Sequence, residues 1–203
     1  MNLSDGTSGT QRLPLAVDLD GTLIRSDLLM EGVAASLFRA PLRLLWALLR
    51  MLLGGGRPML KRLLGETGLV DTDALPLRED LVAFLRDQRA AGRPVYLVTA
   101  SDARAAQPIA DRVGLFDGVI GSRPGLNLKG TAKLKALAER FPDGFVYAGD
   151  SPADLKVWRG SAGIILAGTS AATARKASRR QAPIEARFDN PPLGPRPLLK
   201  ALR

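Results

Sequence analysis

Asp18-Leu19-Asp20-Gly21-Thr22-Leu23 sets two carboxylates one residue apart, directly after the apolar run Leu13-Pro-Leu-Ala-Val17. In an extended segment such carboxylates point to opposite faces, but Gly21 lets the chain turn and bring both toward one site. One aspartate can attack phosphorus to give an aspartyl-phosphate. The other can protonate the leaving alcohol and later activate water. Two carboxylates and a phosphate in one pocket repel strongly, so this chemistry needs a cation, and Mg²⁺ suits oxygen-only ligands.

Later stretches supply further parts in order. Thr99-Ala100-Ser101 closes the apolar run that starts at Pro94, and hydroxyl and backbone N–H groups there can hold phosphate oxygens. Lys129, in Asn127-Leu-Lys-Gly-Thr131, precedes a helical pattern and can neutralise a phosphate. Asp150 falls just past the run Gly144–Gly149 and is placed to bind a metal, with Asp154 opening the next helix. Composition narrows the alternatives, because the 203 residues include no His and no Cys. That excludes an imidazole base, a Ser-His-Asp triad, a thiol nucleophile, a disulfide framework and His- or thiolate-bound zinc.

The elements that must carry these residues follow from hydrophobic pattern. Short apolar runs at 13–19, 94–99 and 144–149 read as buried parallel strands, with weaker candidates at 118–121 and 162–167. Between them, Leu81, Phe84 and Leu85, then Ile109 and Val113, then Leu134, Leu137, Ala138 and Phe141 show helical spacing. Strands alternating with helices predict a Rossmann-like α/β core, a parallel sheet flanked by helices with its chemistry at the carboxyl ends of the strands. The expected layout is a polar tail over 1–12, a core over 13–26 and 76–182, a helical insertion over 27–75, and a basic, proline-rich tail over 183–203.

On these motifs the chain resembles the haloacid dehalogenase-like hydrolases over roughly Leu13 to Ala167. The resemblance implies that Asp18 is the nucleophile and Asp20 the acid/base. Leu19, Thr99, Ala100, Ser101 and Lys129 would bind substrate, with Thr22 and Asp154 in support. Mg²⁺ would be held by the Asp18 side chain, the Asp20 backbone carbonyl and Asp150. The insertion sits where the family carries a helical cap, and Asp20 implies a phosphatase, because the dehalogenase members lack that second carboxylate. Lys133, one helical turn after Lys129, is the alternative third-motif lysine. Lys129 is preferred because Lys-Gly at a helix start is what phosphoserine-phosphatase-like members show.

A narrower resemblance covers Asp18–Leu29, Leu97–Asp102, Gly114–Asp117 and Asn127–Lys133. These stretches look like the phosphatase-like domain that precedes a ubiquinone-biosynthesis-type prenyltransferase in fused bacterial membrane proteins. It implies a lipid- or prenyl-linked phosphate as substrate and a prenyltransferase as partner. The same stretches leave open a membrane-associated interaction module, or a phosphotransferase or mutase using the same residues.

Charge adds a surface to this picture. The net charge is +9, with six basic against two acidic residues over 31–70, nine against two over 159–203, and twelve of each over 71–158. Aromatics do not interleave with the basic tail, so nucleic acid is not expected. Residues 40–53 are apolar except for Arg43 and Arg50 and stop at Gly54-Gly55-Gly56. At about 100° per residue Arg39, Arg43 and Arg50 fall within about 40° of one another. The segment is too short and too charged to span a bilayer; it suits a helix lying in the interface, or equally one packed against its neighbours or a dimer partner. With no basic-then-apolar leader pattern, the expectation is a cytoplasmic protein with a peripheral hold on the inner membrane face.

Overall fold

The computed structural model describes residues 12–28, 30–31, 42, 45–46, 49, 72–179 and 182–190. Six strands form one parallel sheet: β1 (Leu15–Asp18), β2 (Val95–Asp102), β3 (Gly118–Ser122), β4 (Val146–Gly149), β5 (Gly163–Ala167) and β6 (Ile184–Phe188). Their spatial order is β3-β2-β1-β4-β5-β6. The chain therefore winds outward in both directions from β1, and the crevice between β1 and β4 is the switch point where such sheets bind ligands.

β1 is buried on both faces, as its unbroken apolar run requires. Leu15 and Val17 point into one core layer with Leu81, Leu85, Ile109 and Ile165. Ala16 points into the other with Leu137, Phe145, Tyr147, Trp158 and Ile164. The helices that cover these layers are α1 (Glu79–Ala90), α2 (Ala103–Val113), α3 (Thr131–Arg140) and α4 (Ala171–Ser178). Asp102 caps α2 by accepting from the Arg104 N–H, and Gly114 ends it in the left-handed region at φ 67°.

Two elements differ from the expectation. α4, an alanine-rich helix of eight residues capped by Ser170, has too few large apolar residues to stand out by periodicity. β6 lies in the stretch assigned to the proline-rich tail, so the core extends to at least Phe188 rather than ending at 182. Pro183 precedes β6, and its carbonyl accepts from the Ile164 N–H; Phe188 packs on Phe84 at 5.5 Å. A proline at a strand's start sacrifices no ladder bond.

The insertion departs and returns through a short neck. Ile24 and Leu77 form an antiparallel bridge, and the Arg25 and Arg78 N–H groups donate to the Pro76 and Leu23 carbonyls. Of the insertion itself, Leu28, Met30 and Glu31 are helical, as are Leu42, Leu45, Trp46 and Leu49. Most of the 27–75 expectation, the arginines Arg39, Arg43 and Arg50, and the tails before Arg12 and after Asn190 lie outside the described residues.

Candidate active site

Asp18 is the last residue of β1, and a cleft opens above it. Its lining includes Asp18, Asp20, Ala100, Lys129, Lys133, Asp150 and Asp154, together with Arg25, Ser26 and Asp27 from the neck. Three separate strand tips thus converge. Asp18, Asp150 and Asp154 each offer a carboxylate oxygen, and these oxygens lie within 4.8 Å of one another. A group of that size and all-oxygen composition can hold a hard divalent cation.

The tight approach depends on two glycines. Gly21 turns the chain at φ 78°, and a Cβ there would overlap the Asp150 carboxylate. At Gly149 a Cβ would sit 2.8 Å from Asp154 Cγ. Neither position has room for a side chain without moving a carboxylate.

Crowding shows in the ionisation of the acids. Burial pushes Asp18 up to about 6; Asp154 and Asp20 add to the rise, and Lys133 pulls against it. Burial, reinforced by Asp154 and Asp18, pushes Asp150 up to about 7, against a Thr22 hydroxyl that donates to it at 3.3 Å. Both shifts describe carboxylates that lack enough positive charge around them.

The positive charge the protein does provide comes from Lys133. Its ammonium donates to Asp18 Oδ1 at 2.7 Å and to the Tyr147 hydroxyl at 2.9 Å. Lys129, the residue preferred from sequence, is exposed on the rim of the same cleft. The reason is where the helix starts: α3 begins at Thr131, so Lys133 lies in its first turn facing the sheet, while Lys129 precedes the Gly130 bend. Lys133 therefore takes the position beside the nucleophile candidate.

Asp20 lines the same cleft but is not one of the three clustered carboxylates. Its Oδ1 accepts from the Leu28 N–H at 2.8 Å and its Oδ2 from the Ser101 hydroxyl at 2.9 Å. The second carboxylate of the motif is thus fastened both to β2 and to the first turn of the insertion. Thr99, Ser101, Leu19 and Thr22 are buried behind the cleft rather than lining it. Thr99 Oγ1 accepts from the Ser101 N–H, and the Leu19 carbonyl accepts from Leu23 and Ile24. These residues hold the loop shapes, and only Ala100 of the 99–101 trio borders the cleft.

Asp154, expected behind Asp150, is close enough to belong to the carboxylate group. Its oxygens are already committed: Oδ1 accepts from the Tyr147 hydroxyl, and Oδ2 from the Asp150 N–H, the Ser151 N–H and the Ser151 hydroxyl. Tyr147 was not foreseen as a site residue. It stands on β4, fully buried, accepting from Lys133 and donating to Asp154, and burial followed by the Asp154 charge keeps its phenol neutral. Arg78 was also missed. Its buried guanidinium donates to the Thr22 and Gly21 carbonyls and to Asn190, bracing the turn that carries the aspartates.

The chain is 44% identical over 181 residues to the uncharacterized protein y4nM of Sinorhizobium fredii (strain NBRC 101917 / NGR234), covering 89% of this chain and 34% of that one. The chain therefore spans about a third of that relative's length. A Bordetella pertussis Tohama I protein of unknown function superposes with a TM-score of 0.64 at 21% identity, covering 87% of this chain and 99% of that one. Phosphoserine phosphatase in its apo form superposes with a TM-score of 0.62 at 15% identity, covering 94% and 98%. The haloacid dehalogenase-like hydrolase profile matches residues 15–159, from β1 through the loop after Asp154, and the chain belongs to that family.

Proposed function

We propose that the protein is a Mg²⁺-dependent phosphomonoesterase working through an aspartyl-phosphate on Asp18. The observation that carries this reading is the placement of Asp18: at a strand tip, with one oxygen held by Lys133 and its other neighbours the carboxylates of Asp150 and Asp154. In the first step an Asp18 oxygen bonds to phosphorus as the bond from phosphorus to the leaving oxygen breaks. Asp20 gives its proton to that oxygen. In the second, Asp20 takes a proton from water, the water oxygen bonds to phosphorus, and the Asp18–phosphorus bond breaks to release phosphate.

The oxygen-only donors and the raised Asp18 and Asp150 fit a bound Mg²⁺. Asp18 and Asp150 would hold it, while Asp154 keeps the 150–151 loop in shape by accepting three hydrogen bonds from it. Bound there, the ion supplies charge that offsets the phosphate oxygens. Lys133 supplies the fixed part of that charge, and the Ser101 and Leu28 donors orient the Asp20 carboxyl.

For the leaving group we propose a lipid- or prenyl-linked alcohol, supported by the exposed apolar residues Met30, Leu42, Leu45, Trp46 and Leu49 of the insertion. The test is hydrolysis of an aryl phosphate with and without Mg²⁺, by wild type and Asp18→Asn. Activity that requires Mg²⁺ and falls by at least about 10³-fold in the variant supports the mechanism. Activity that survives in Asp18→Asn overturns it. Turnover of a prenyl-linked phosphosugar no faster than the aryl ester removes the lipid-linked substrate and leaves the phosphatase.

A further inference from the structure

Seven large apolar residues stand exposed among the described residues, and five of them, Met30, Leu42, Leu45, Trp46 and Leu49, belong to the insertion. Four of those are helical with relative spacing 0, 3, 4 and 7, so they share one face, at 80%, 64%, 49% and 52% exposure. An amphipathic helix of a globular protein turns such a stripe inward. Here it faces out.

We infer that this face is a docking surface for an anionic lipid bilayer, with the helix lying in the plane of the headgroups. Two observations select that occupant. First, charge: the 31–70 segment carries six basic and two acidic residues in a chain of net charge +9. Headgroup phosphates lie beside an apolar face that enters the acyl boundary, where a basic segment meets opposite charge. A second copy pairing through the same face would bring two such basic segments together, which the like charges oppose. Second, Trp46 sits within the stripe, and indole rings favour the headgroup level. No described helix is long and apolar enough to cross a membrane. Because Arg25, Ser26 and Asp27 of the neck line the cleft, docking through the insertion would set the cleft near the bilayer surface.

The test is flotation of the full chain with vesicles of phosphatidylcholine alone and of about three parts phosphatidylcholine to one part phosphatidylglycerol. Wild type is expected to float with the anionic vesicles at least about tenfold better than with the neutral ones. Leu42→Glu/Leu49→Glu should lose that binding while keeping its melting temperature and its aryl phosphatase rate. Trp46 gives a local readout, because the second tryptophan, Trp158, is already buried. A blue shift on vesicle addition that disappears in Trp46→Phe places the helix in the interface. Equal binding to both vesicle types, binding that survives the double substitution, or a concentration-dependent dimer abolished by it would each overturn the proposal. Asp18→Asn should bind as wild type does, so the surface and the chemistry can fail independently.

Discussion

Lys133 Nζ lies 2.7 Å from Asp18 Oδ1, joining two buried groups 115 residues apart in the chain. In the proposed mechanism it sits where charge must be neutralised as phosphate approaches a carboxylate, and fixed charge in a water-poor site is worth far more than on the surface. Lys133→Met should lower kcat for an aryl phosphate by about 10²–10³-fold. Lys129→Met, on the exposed rim, should raise KM and leave kcat within about threefold. Steady-state kinetics separates the two, and a larger kcat loss at Lys129 would return the third-motif role to it.

Tyr147 links Lys133 to Asp154 through hydrogen bonds of 2.9 Å on either side. Removing its hydroxyl leaves Asp154 Oδ1 without a donor and Lys133 with one acceptor fewer, both in a buried setting. Tyr147→Phe should cost about 1–3 kcal/mol by urea unfolding. Apparent Mg²⁺ affinity should fall by about 10–100-fold, since Asp154 shapes the loop that presents Asp150. An unchanged Mg²⁺ titration would make the tyrosine a packing residue only.

The strand-tip carboxylates were legible in the sequence because a buried strand must be an apolar run and its polar end must face the crevice. Asp18 and Asp150 needed nothing more than that. Lys133 needed the helix start to within two residues, and the Gly130 bend that sets it is not distinguishable by pattern from an ordinary helix-opening glycine. Tyr147 reads as any aromatic in a core strand, since its partners come from α3 and from the loop seven residues on. Arg78 precedes Glu79-Asp80 and reads as a solvated charge, yet the neck buries it against Gly21 and Thr22. β6 was hidden by its flanking prolines and by a sheet-edge composition with few apolar residues.

Stability should depend on pH in a direction set by Asp18 and Asp150. Both acids have folded pKa values, about 6 and about 7, above the ordinary 3.8. Between those values and 3.8 the folded state holds more protons than the unfolded chain, so stability falls as pH rises through that window. In EDTA the melting temperature should therefore drop from pH 4.5 toward pH 7.5, values spanning roughly that window. Mg²⁺ binds the deprotonated acids, so its stabilising shift should grow over the same range. Thermal melts with EDTA and with Mg²⁺ at several pH values check both, and a Mg²⁺ shift that shrinks with rising pH would contradict the assignment of Asp18 and Asp150.

Gly21 and Gly92 share a backbone φ of 78°, but only Gly21 faces the site. An alanine at either position pays for a left-handed conformation, about 1–2 kcal/mol. At Gly92 nothing lies within 4 Å of the added methyl, so Gly92→Ala should lose stability by that amount and keep its rate. At Gly21 the methyl would overlap the Asp150 carboxylate, which must move from its place beside Asp18. Gly21→Ala should therefore lose the Mg²⁺ response and most of its activity beyond the shared stability cost. Measuring Tm, Mg²⁺ titration and kcat for both variants isolates the contact from the strain. Equal losses in the two would show that the close approach of Gly21 to Asp150 is not what the site depends on.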